Sequence, residues 1–180
     1  IIGLGQIGMG YDLALDPAKA VYTHAKALSV HPAFDLICGV DPSETQCDLF
    51  EQHYDHPAYQ DISSALQAQT ASLFVIALPT AQHSVALKEV LAYSKPKAIL
   101  CEKPLAYDLL EAREMVEACE SAGVKLFVNY MRRADPGAIE IKSRIESGQI
   151  AAPIKGVVWY SKGFLHNGSH FFNLLEFWLG

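Results

Sequence analysis

Hydrophobic positions along the chain form short continuous runs, and longer stretches with helical periodicity separate them. The runs are apolar throughout, which is typical of parallel strands covered on both faces. They are residues 36–40, 73–78, 98–101 and 124–128. The stretches between them predict helices at residues 17–30, 43–53, 62–69, 81–92 and 107–122. The alternation predicts an α/β fold with a doubly wound parallel sheet of the Rossmann type.

The pattern changes after residue 128, where a helix at 136–148, a strand at 154–162 and a helix at 169–179 are predicted. We expect a dinucleotide-binding Rossmann domain at 1–128 and a linking segment with a helix at 129–150. Residues 151–180 would begin a carboxyl-terminal substrate and oligomerisation domain. Only two residues precede the first glycine, and the strand at 154–162 has few potential partners. We therefore expect the chain to be part of a longer two-domain protein.

Composition and charge exclude some classes of function. The net charge is −6 and no run of basic residues occurs, so nucleic acid is not an expected partner. No apolar run reaches the roughly 18 residues of a membrane span, so no membrane partner is expected. The four cysteines form no CxxC pair or zinc pattern. They are predicted to be free thiols in a reducing compartment, which indicates the cytoplasm.

The motif GLGQIG at residues 3–8 fits the dinucleotide-binding pattern GxGxxG. Glycines in this pattern permit a tight turn and let a pyrophosphate approach backbone N–H groups. The predicted cofactor-binding residues of the motif are Gly3, Gly5, Gln6, Ile7 and Gly8. The alternative is a glycine turn that binds no cofactor.

An acidic residue follows the second predicted strand. Asp41 could accept hydrogen bonds from ribose hydroxyls and would repel a 2′-phosphate, which favours NAD and leaves NADP possible. The alternative is a solvated carboxylate. The distance from Gly8 to Asp41 is 33 positions, against roughly 20 in the usual pattern. An insertion at residues 9–16 is therefore predicted, and Asp16 and Pro17 would start the following helix.

Other polar and special residues follow the predicted strands at their carboxyl ends, where such folds bind ligands. They are Pro79 with Thr80, Glu102 with Lys103, and Asn129 with Tyr130. This placement predicts a binding site at one edge of the sheet, with Asn129 among the cofactor-binding residues.

Five motifs together resemble the Gfo/Idh/MocA oxidoreductases, a family named for glucose–fructose oxidoreductase and inositol dehydrogenase. They are the glycine turn, LPTAQH at 78–83, CEKPL at 101–105, NYMRR at 129–133 and HNGSH at 166–170. The resemblance implies NAD or NADP, a substrate of the sugar, polyol or sugar-nucleotide type, and an α+β open-sheet second domain. It also implies a homo-oligomer formed through that sheet.

The resemblance implies roles for individual residues as well. Pro79, Thr80 and His83 would lie beside the cofactor, and Glu102 would approach the nicotinamide ribose. Lys103 would contact the cofactor and be catalytic, with Pro104 often cis in relatives.

The chain departs from the family at the second histidine motif. Relatives commonly have an Asp four residues before the helix histidine and often another three residues after it, where this chain has His166 and Asn173. His170 and His166 are the predicted catalytic histidines, and His170 would exchange the substrate proton. Two alternatives remain: a helix-start cluster held by hydrogen bonds, and an HxxxH metal site, for which no third ligand is evident.

We therefore expect an NAD(P)-dependent oxidoreductase that moves a hydride between the nicotinamide and a carbohydrate hydroxyl carbon. Two alternatives stay open. One is redox-neutral elimination or hydrolysis of a sugar assisted by bound NAD. The other is a dinucleotide sensor without catalysis.

Overall fold

A parallel sheet organises the first of the two compact units, Ile1–Val128 and Asn129–Gly180, into which the chain divides. The computed structural model describes residues 1–16 and 19–180. Its strands are β1 (Gly39–Val40), β2 (Ala58–Tyr59), β3 (Leu73–Ile76), β4 (Ala98–Cys101) and β5 (Lys125–Val128). Every described pairing is parallel.

The amino-terminal segment joins the two halves of this sheet. Ile2 pairs with Val40 on one side and with Ile76 on the other. The spatial order is therefore β2, β1, the segment containing Ile2, β3, β4 and β5. In chain order the sheet runs 3-2-1-4-5-6, the order of a doubly wound dinucleotide-binding sheet. The predicted fold class is confirmed, although β2 was not predicted and the strand expected at 36–40 is limited to its last two residues.

In the part of the chain that the structure describes, five α-helices connect these strands. They are α1 (His24–Val30), α2 (Glu44–Tyr54), α3 (Ile62–Ala68), α4 (His83–Tyr93) and α5 (Leu109–Ala122). One hydrophobic cluster packs residues of α3, α4 and α5 against the strands. A second cluster contains Leu4, Met9, Ala25, Leu36 and Phe50, and so includes α1 and α2. The two clusters agree with the expectation that the strands are covered on both faces.

The first helix begins later than predicted. Pro17 lies outside the described residues, but residues 19–23 are not helical and α1 starts at His24 with Thr23 as its N-cap. Asp16 does not cap it; its carbonyl accepts hydrogen bonds from the N–H groups of Lys19 and Ala20. The physical reason is that α1 continues the turn that follows the glycine motif, across an insertion.

Backbone hydrogen bonds measure the length of this insertion. In an uninterrupted α-helix, residues 11 and 12 would donate to the carbonyls of Ile7 and Gly8. Here His24 donates to Ile7 at 3.1 Å and Ala25 donates to Gly8 at 2.9 Å. Each donor comes thirteen positions later than an uninterrupted helix requires. Without those thirteen residues, Gly8 and Asp41 would be about 20 positions apart, the usual spacing.

The second unit contains α6 (Pro136–Glu146), a π-helical turn (Phe164–Gly168) and α7 (Ser169–Leu179). Asp135 caps α6 by accepting the N–H groups of Gly137 and Ala138. The strand predicted at residues 154–162 is not formed, because no described residue pairs with that segment. A β-strand needs a hydrogen-bonded neighbour as well as a suitable sequence.

No helix in the described ranges is both long and apolar enough to cross a membrane. The four cysteines are free, as predicted, and three of them are buried. Burial raises the pKa of the Cys101 thiol to about 12, and the charges of Glu102 and Cys119 contribute further to the increase. Burial also raises the pKa of Cys119.

We expect Cys101 to resist alkylation in the folded protein. With a pKa of about 12, the thiolate fraction at pH 8 is on the order of 10⁻⁴, and the side chain is fully buried. Mass spectrometry after iodoacetamide treatment at pH 8 should find Cys101 modified in urea and unmodified under native conditions. Equal labelling of Cys101 in both samples would contradict this prediction.

Candidate dinucleotide-binding site

The glycines of the motif at residues 3–8 have different structural roles. Gly3 has φ +97°, and a Cβ there would lie 2.8 Å from the carbonyl carbon of Ala77. At Gly8 a Cβ would lie 2.0 Å from the carbonyl oxygen of Gly3. Both positions are therefore closed to any side chain by the fold itself. Gly5 differs, because a Cβ there would meet no protein atom within 4 Å.

The open side of the turn has the donors that a pyrophosphate needs. Gln6 is exposed and Ile7 is partly exposed. Within residues 1–16 and 19–180, their N–H groups make no hydrogen bond. Backbone N–H groups at the start of a helical turn bind phosphate oxygens well. The turn thus fits a dinucleotide, with Gly5 leaving the room for its approach.

Asp41 lies directly after β1 and braces the glycine turn. One carboxylate oxygen accepts the N–H of Leu4 at 2.9 Å, and the other accepts the N–H of Ser43 at 3.0 Å. Leu4 is fully buried against Gly39, in the same hydrophobic cluster as Phe50. The structure therefore brings the predicted acid against the predicted glycine turn. Each oxygen keeps a further lone pair with which it can accept a hydroxyl hydrogen.

Glu102 follows β4 and forms a buried pair that was not predicted. One carboxylate oxygen lies 2.8 Å from Nε2 of His24, and both side chains are about 11% exposed. The other oxygen accepts the N–H of Lys103 at 3.3 Å. His24 was missed because the insertion separates it from the glycine motif in the sequence. The hydrogen-bond spacing described above is the signal that identifies it.

The loops after β3 and β4 are held together by His83. Its Nε2 lies 2.8 Å from the carbonyl oxygen of Leu78 and its Nδ1 lies 3.1 Å from that of Leu105. The ring is 1% exposed, so it joins the loop after β3 to the loop after β4, which contains Lys103. Thr80 is also buried, at the start of the short 3-10 helix Thr80–Gln82 that follows Pro79.

Lys103 is half-buried, and its peptide bond to Pro104 is cis, as the resemblance implies. Asn129 directly follows β5. The cofactor-binding roles of Lys103 and Asn129, and those of Pro79, Thr80, His83 and Glu102, stay predictions, as does the catalytic role of Lys103.

The second unit holds the two predicted histidines. His170, near the start of α7, is 7% exposed and makes an edge contact with the ring of Tyr130, with centroids 5.8 Å apart. His166 lies in the π-helical turn and is exposed. Asn173 is engaged elsewhere: its side-chain oxygen accepts a hydrogen bond from Nε of Arg133. This partner of Asn173 was not predicted from the sequence.

Among the described residues, no group of three or more His, Cys, Asp or Glu side chains is placed to hold a metal ion.

The fold and the glycine turn define the class: a parallel α/β protein with a dinucleotide-binding site at its switch point. Residues 1–130 match the sequence model of the Gfo/Idh/MocA family, an oxidoreductase family with an NAD-binding Rossmann fold. The chain belongs to this family, which confirms the resemblance.

Two curated relatives illustrate the similarity. The chain is 30% identical to the scyllo-inositol 2-dehydrogenase (NAD(+)) of Bacillus subtilis over 166 residues, which are 91% of this chain and 43% of that protein. It is 34% identical to the inositol 2-dehydrogenase of Rubrobacter xylanophilus over 147 residues, 81% of this chain and 42% of that protein. The chain thus spans less than half the length of these relatives.

Solved structures give the same result. The crystal structure of a putative myo-inositol dehydrogenase from Sinorhizobium meliloti 1021 superposes with a TM-score of 0.77 at 25% identity, covering 99% of this chain and 54% of that chain. The WlbA dehydrogenase of Bordetella pertussis, solved with NADH and UDP-GlcNAcA, superposes with a TM-score of 0.77 at 23% identity, covering 99% and 54% of the two chains. This second similarity concerns the fold alone.

We expect alanine at Gly8 to lower stability and alanine at Gly5 to weaken cofactor binding. Gly8→Ala should lower the free energy of unfolding by about 3 kcal/mol, because its Cβ would collide with backbone. Gly5→Ala should leave that free energy within about 0.5 kcal/mol of the parent's, yet weaken NAD binding at least tenfold by filling the open side. Denaturant melts and cofactor titration measure both. Unchanged NAD affinity in Gly5→Ala would remove the turn from the cofactor site.

Proposed function

We propose that the protein is an NAD(P)-dependent oxidoreductase that transfers a hydride between the nicotinamide and a hydroxyl-bearing carbon of a sugar, polyol or sugar nucleotide. The observation that carries the proposal is the glycine turn, closed to side chains at Gly3 and Gly8 but open at Gly5. Family membership over residues 1–130 supports it. The names of the inositol dehydrogenase relatives support the substrate class.

The cofactor supplies hydride transfer; the chain must hold it and manage one proton. The N–H groups of the glycine turn bind the pyrophosphate, and Asp41 accepts hydrogen bonds from the adenosine ribose. Pro79, Thr80, His83 and Asn129 line the cofactor site at the ends of their strands. Glu102 accepts hydrogen bonds from the second ribose while His24 holds its other side.

Lys103 and two histidines are assigned to the proton chemistry. Lys103 donates a hydrogen bond to the reacting oxygen and stabilises the negative charge that develops when its proton leaves. His170 accepts that proton as the general base. His166 stands where relatives commonly have a carboxylate, so it positions the substrate as a hydrogen-bonding ring and supplies no fixed negative charge.

The remaining properties of the whole protein follow from the same proposal. Residues 1–128 are the dinucleotide-binding domain, 129–150 link it to the next, and 151–180 begin the domain for substrate and oligomer contacts. The protein works as a homo-oligomer on a small carbohydrate. Its four free thiols support a reducing, cytoplasmic location.

Removing either assigned catalytic group should lower turnover without comparable loss of cofactor affinity. We expect Lys103→Ala and His170→Asn each to reduce kcat by about 10²–10⁴-fold, the usual contribution of an acid–base group. Lys97→Ala is the matched control, since Lys97 is exposed just before β4 and Lys103 follows that strand. NADH absorbance with inositols and sugars as substrates measures all three. Parental kcat in Lys103→Ala would exclude Lys103 from the mechanism, and turnover without net NADH would favour the redox-neutral alternative.

Asp41 should give the parent at least tenfold preference for NAD. A carboxylate and a phosphate about 4 Å apart repel by about 1–4 kcal/mol at the effective dielectric constants of a protein surface. Asp41→Asn removes that charge and keeps the side chain's size, so the preference should fall about tenfold. Titration with NAD and NADP measures the ratio, which cancels any common weakening from loss of the bond to Leu4. An unchanged ratio would mean that Asp41 does not select the cofactor.

A further inference from the structure

The thirteen-residue insertion separates the glycine turn from the helix that completes it. The last N–H group that follows the turn directly and donates to one of its carbonyls is that of Tyr11, which donates to Gln6 at 2.9 Å. The carbonyls of Ile7 and Gly8 receive their hydrogen bonds from His24 and Ala25, on the far side of the insertion. The helical hydrogen-bond pattern is therefore continuous, although the residues that form it are not consecutive in the sequence.

Asp12 lies near the start of the insertion in the sequence, and its carboxylate contacts the last residues before α1. It is 7% exposed, and one carboxylate oxygen accepts the N–H groups of Tyr22 at 2.7 Å and Thr23 at 3.0 Å. The other oxygen accepts the hydroxyl hydrogen of Thr23 at 2.8 Å. Three hydrogen bonds to one buried carboxylate hold the residues immediately before α1.

Thr23 transmits this hold into the helix. Its hydroxyl oxygen accepts the N–H of Lys26 at 3.3 Å, and its carbonyl accepts the N–H of Ala27 at 2.9 Å. The early N–H groups of α1 are thus satisfied by Ile7, Gly8 and Thr23, as a helix start requires. A negative charge at this end also favours the helix dipole.

The register of α1 relative to the glycine turn determines the position of the His24 side chain. His24 is the first residue of α1, and its ring lies 2.8 Å from Glu102. Glu102 in turn precedes Lys103 and accepts its N–H. A slip of one residue at the start of α1 would rotate the His24 side chain by about 100° and break this contact.

We propose that Asp12 is a positioning residue for the dinucleotide site. Its carboxylate does what covalent continuity of the helix would otherwise do: it keeps α1 in register with the glycine turn and keeps His24 on Glu102. The predicted effect of Asp12 on NAD binding rests on the proposed function. Its predicted effect on the register of α1 does not, since that concerns hydrogen bonds within the chain.

Point variants test the carboxylate. Asp12→Ala should weaken NAD binding at least tenfold and speed amide hydrogen exchange of His24 and Ala25 at least tenfold. Asp12→Asn keeps one oxygen acceptor and should fall between Asp12→Ala and the parent. Asp16→Ala is the matched control, because Asp16 is an exposed carboxylate of the same insertion that pairs with Lys19 at 3.3 Å. It should match the parent in both measurements.

A deletion variant tests whether a continuous helix makes Asp12 unnecessary for NAD binding. Removing residues 10–22 joins Met9 to Thr23 and places His24 four positions after Ile7, as an uninterrupted helix requires. We expect this variant to bind NAD within threefold of the parent although it lacks Asp12. A cooperative melt of the deletion variant combined with more than tenfold weaker NAD binding would mean that the insertion contacts the cofactor itself, and the proposal would be wrong.

The arms separate the possible failures. Parental exchange rates and NAD affinity in Asp12→Ala would overturn the proposal whether or not the deletion variant folds. A lower melting temperature with unchanged exchange at His24 and unchanged NAD affinity would assign Asp12 a purely stabilising role. If the parent binds no NAD, the proposed function fails, and hydrogen exchange at His24 and Ala25 still decides whether Asp12 holds the register.

Discussion

The close backbone approach inside the glycine turn is the constraint on which the rest of this structure depends. A Cβ at Gly8 would lie 2.0 Å from the Gly3 carbonyl, and one at Gly3 would lie 2.8 Å from Ala77. Because both residues are glycines, the backbone can approach itself this closely. The chain can therefore turn immediately after the segment that contains Ile2. Leu4 is then buried against Gly39 and Phe50, and its N–H meets Asp41. The packing of the second hydrophobic cluster and the geometry of the cofactor site therefore share one origin.

Charge at this edge is held mainly by backbone. Asp41 is bound by two N–H groups, and Glu102 accepts the N–H of Lys103 besides its contact with His24. Carboxylates held in this way cost little side-chain freedom when a ligand arrives, because they are already ordered. His83 has a similar role, since its buried ring joins the loop after β3 to the loop that contains Lys103. These side chains are thus held in place by hydrogen bonds within the chain itself.

The sheet could be predicted well because its signals are local. The strand Ala98–Cys101 is apolar throughout and was predicted with its observed bounds. The predicted end of the helix at residue 122 is also confirmed, because α5 ends at Ala122 and Gly123 follows in the left-handed conformation. The start of α1 could not be predicted in the same way. Its first two N–H groups bond to carbonyls that are seventeen positions earlier, which no local periodicity encodes. For the same reason His24 could not be recognised from the sequence as a neighbour of the glycine turn. The strand expected at 154–162 was wrong because no described residue pairs with that segment.

The joint between Gly8 and α1 also bears on how chain length can vary in such a protein. Both ends of the insertion are pinned, one by the turn at residues 5–9 and the other by Asp12 and Thr23. Segments anchored at two neighbouring points can lengthen or shorten at small entropic cost, because loop closure depends only logarithmically on length. This corner of the fold is therefore a natural graft site, where a foreign peptide could be displayed next to the glycine turn while the ladder beneath it stays intact.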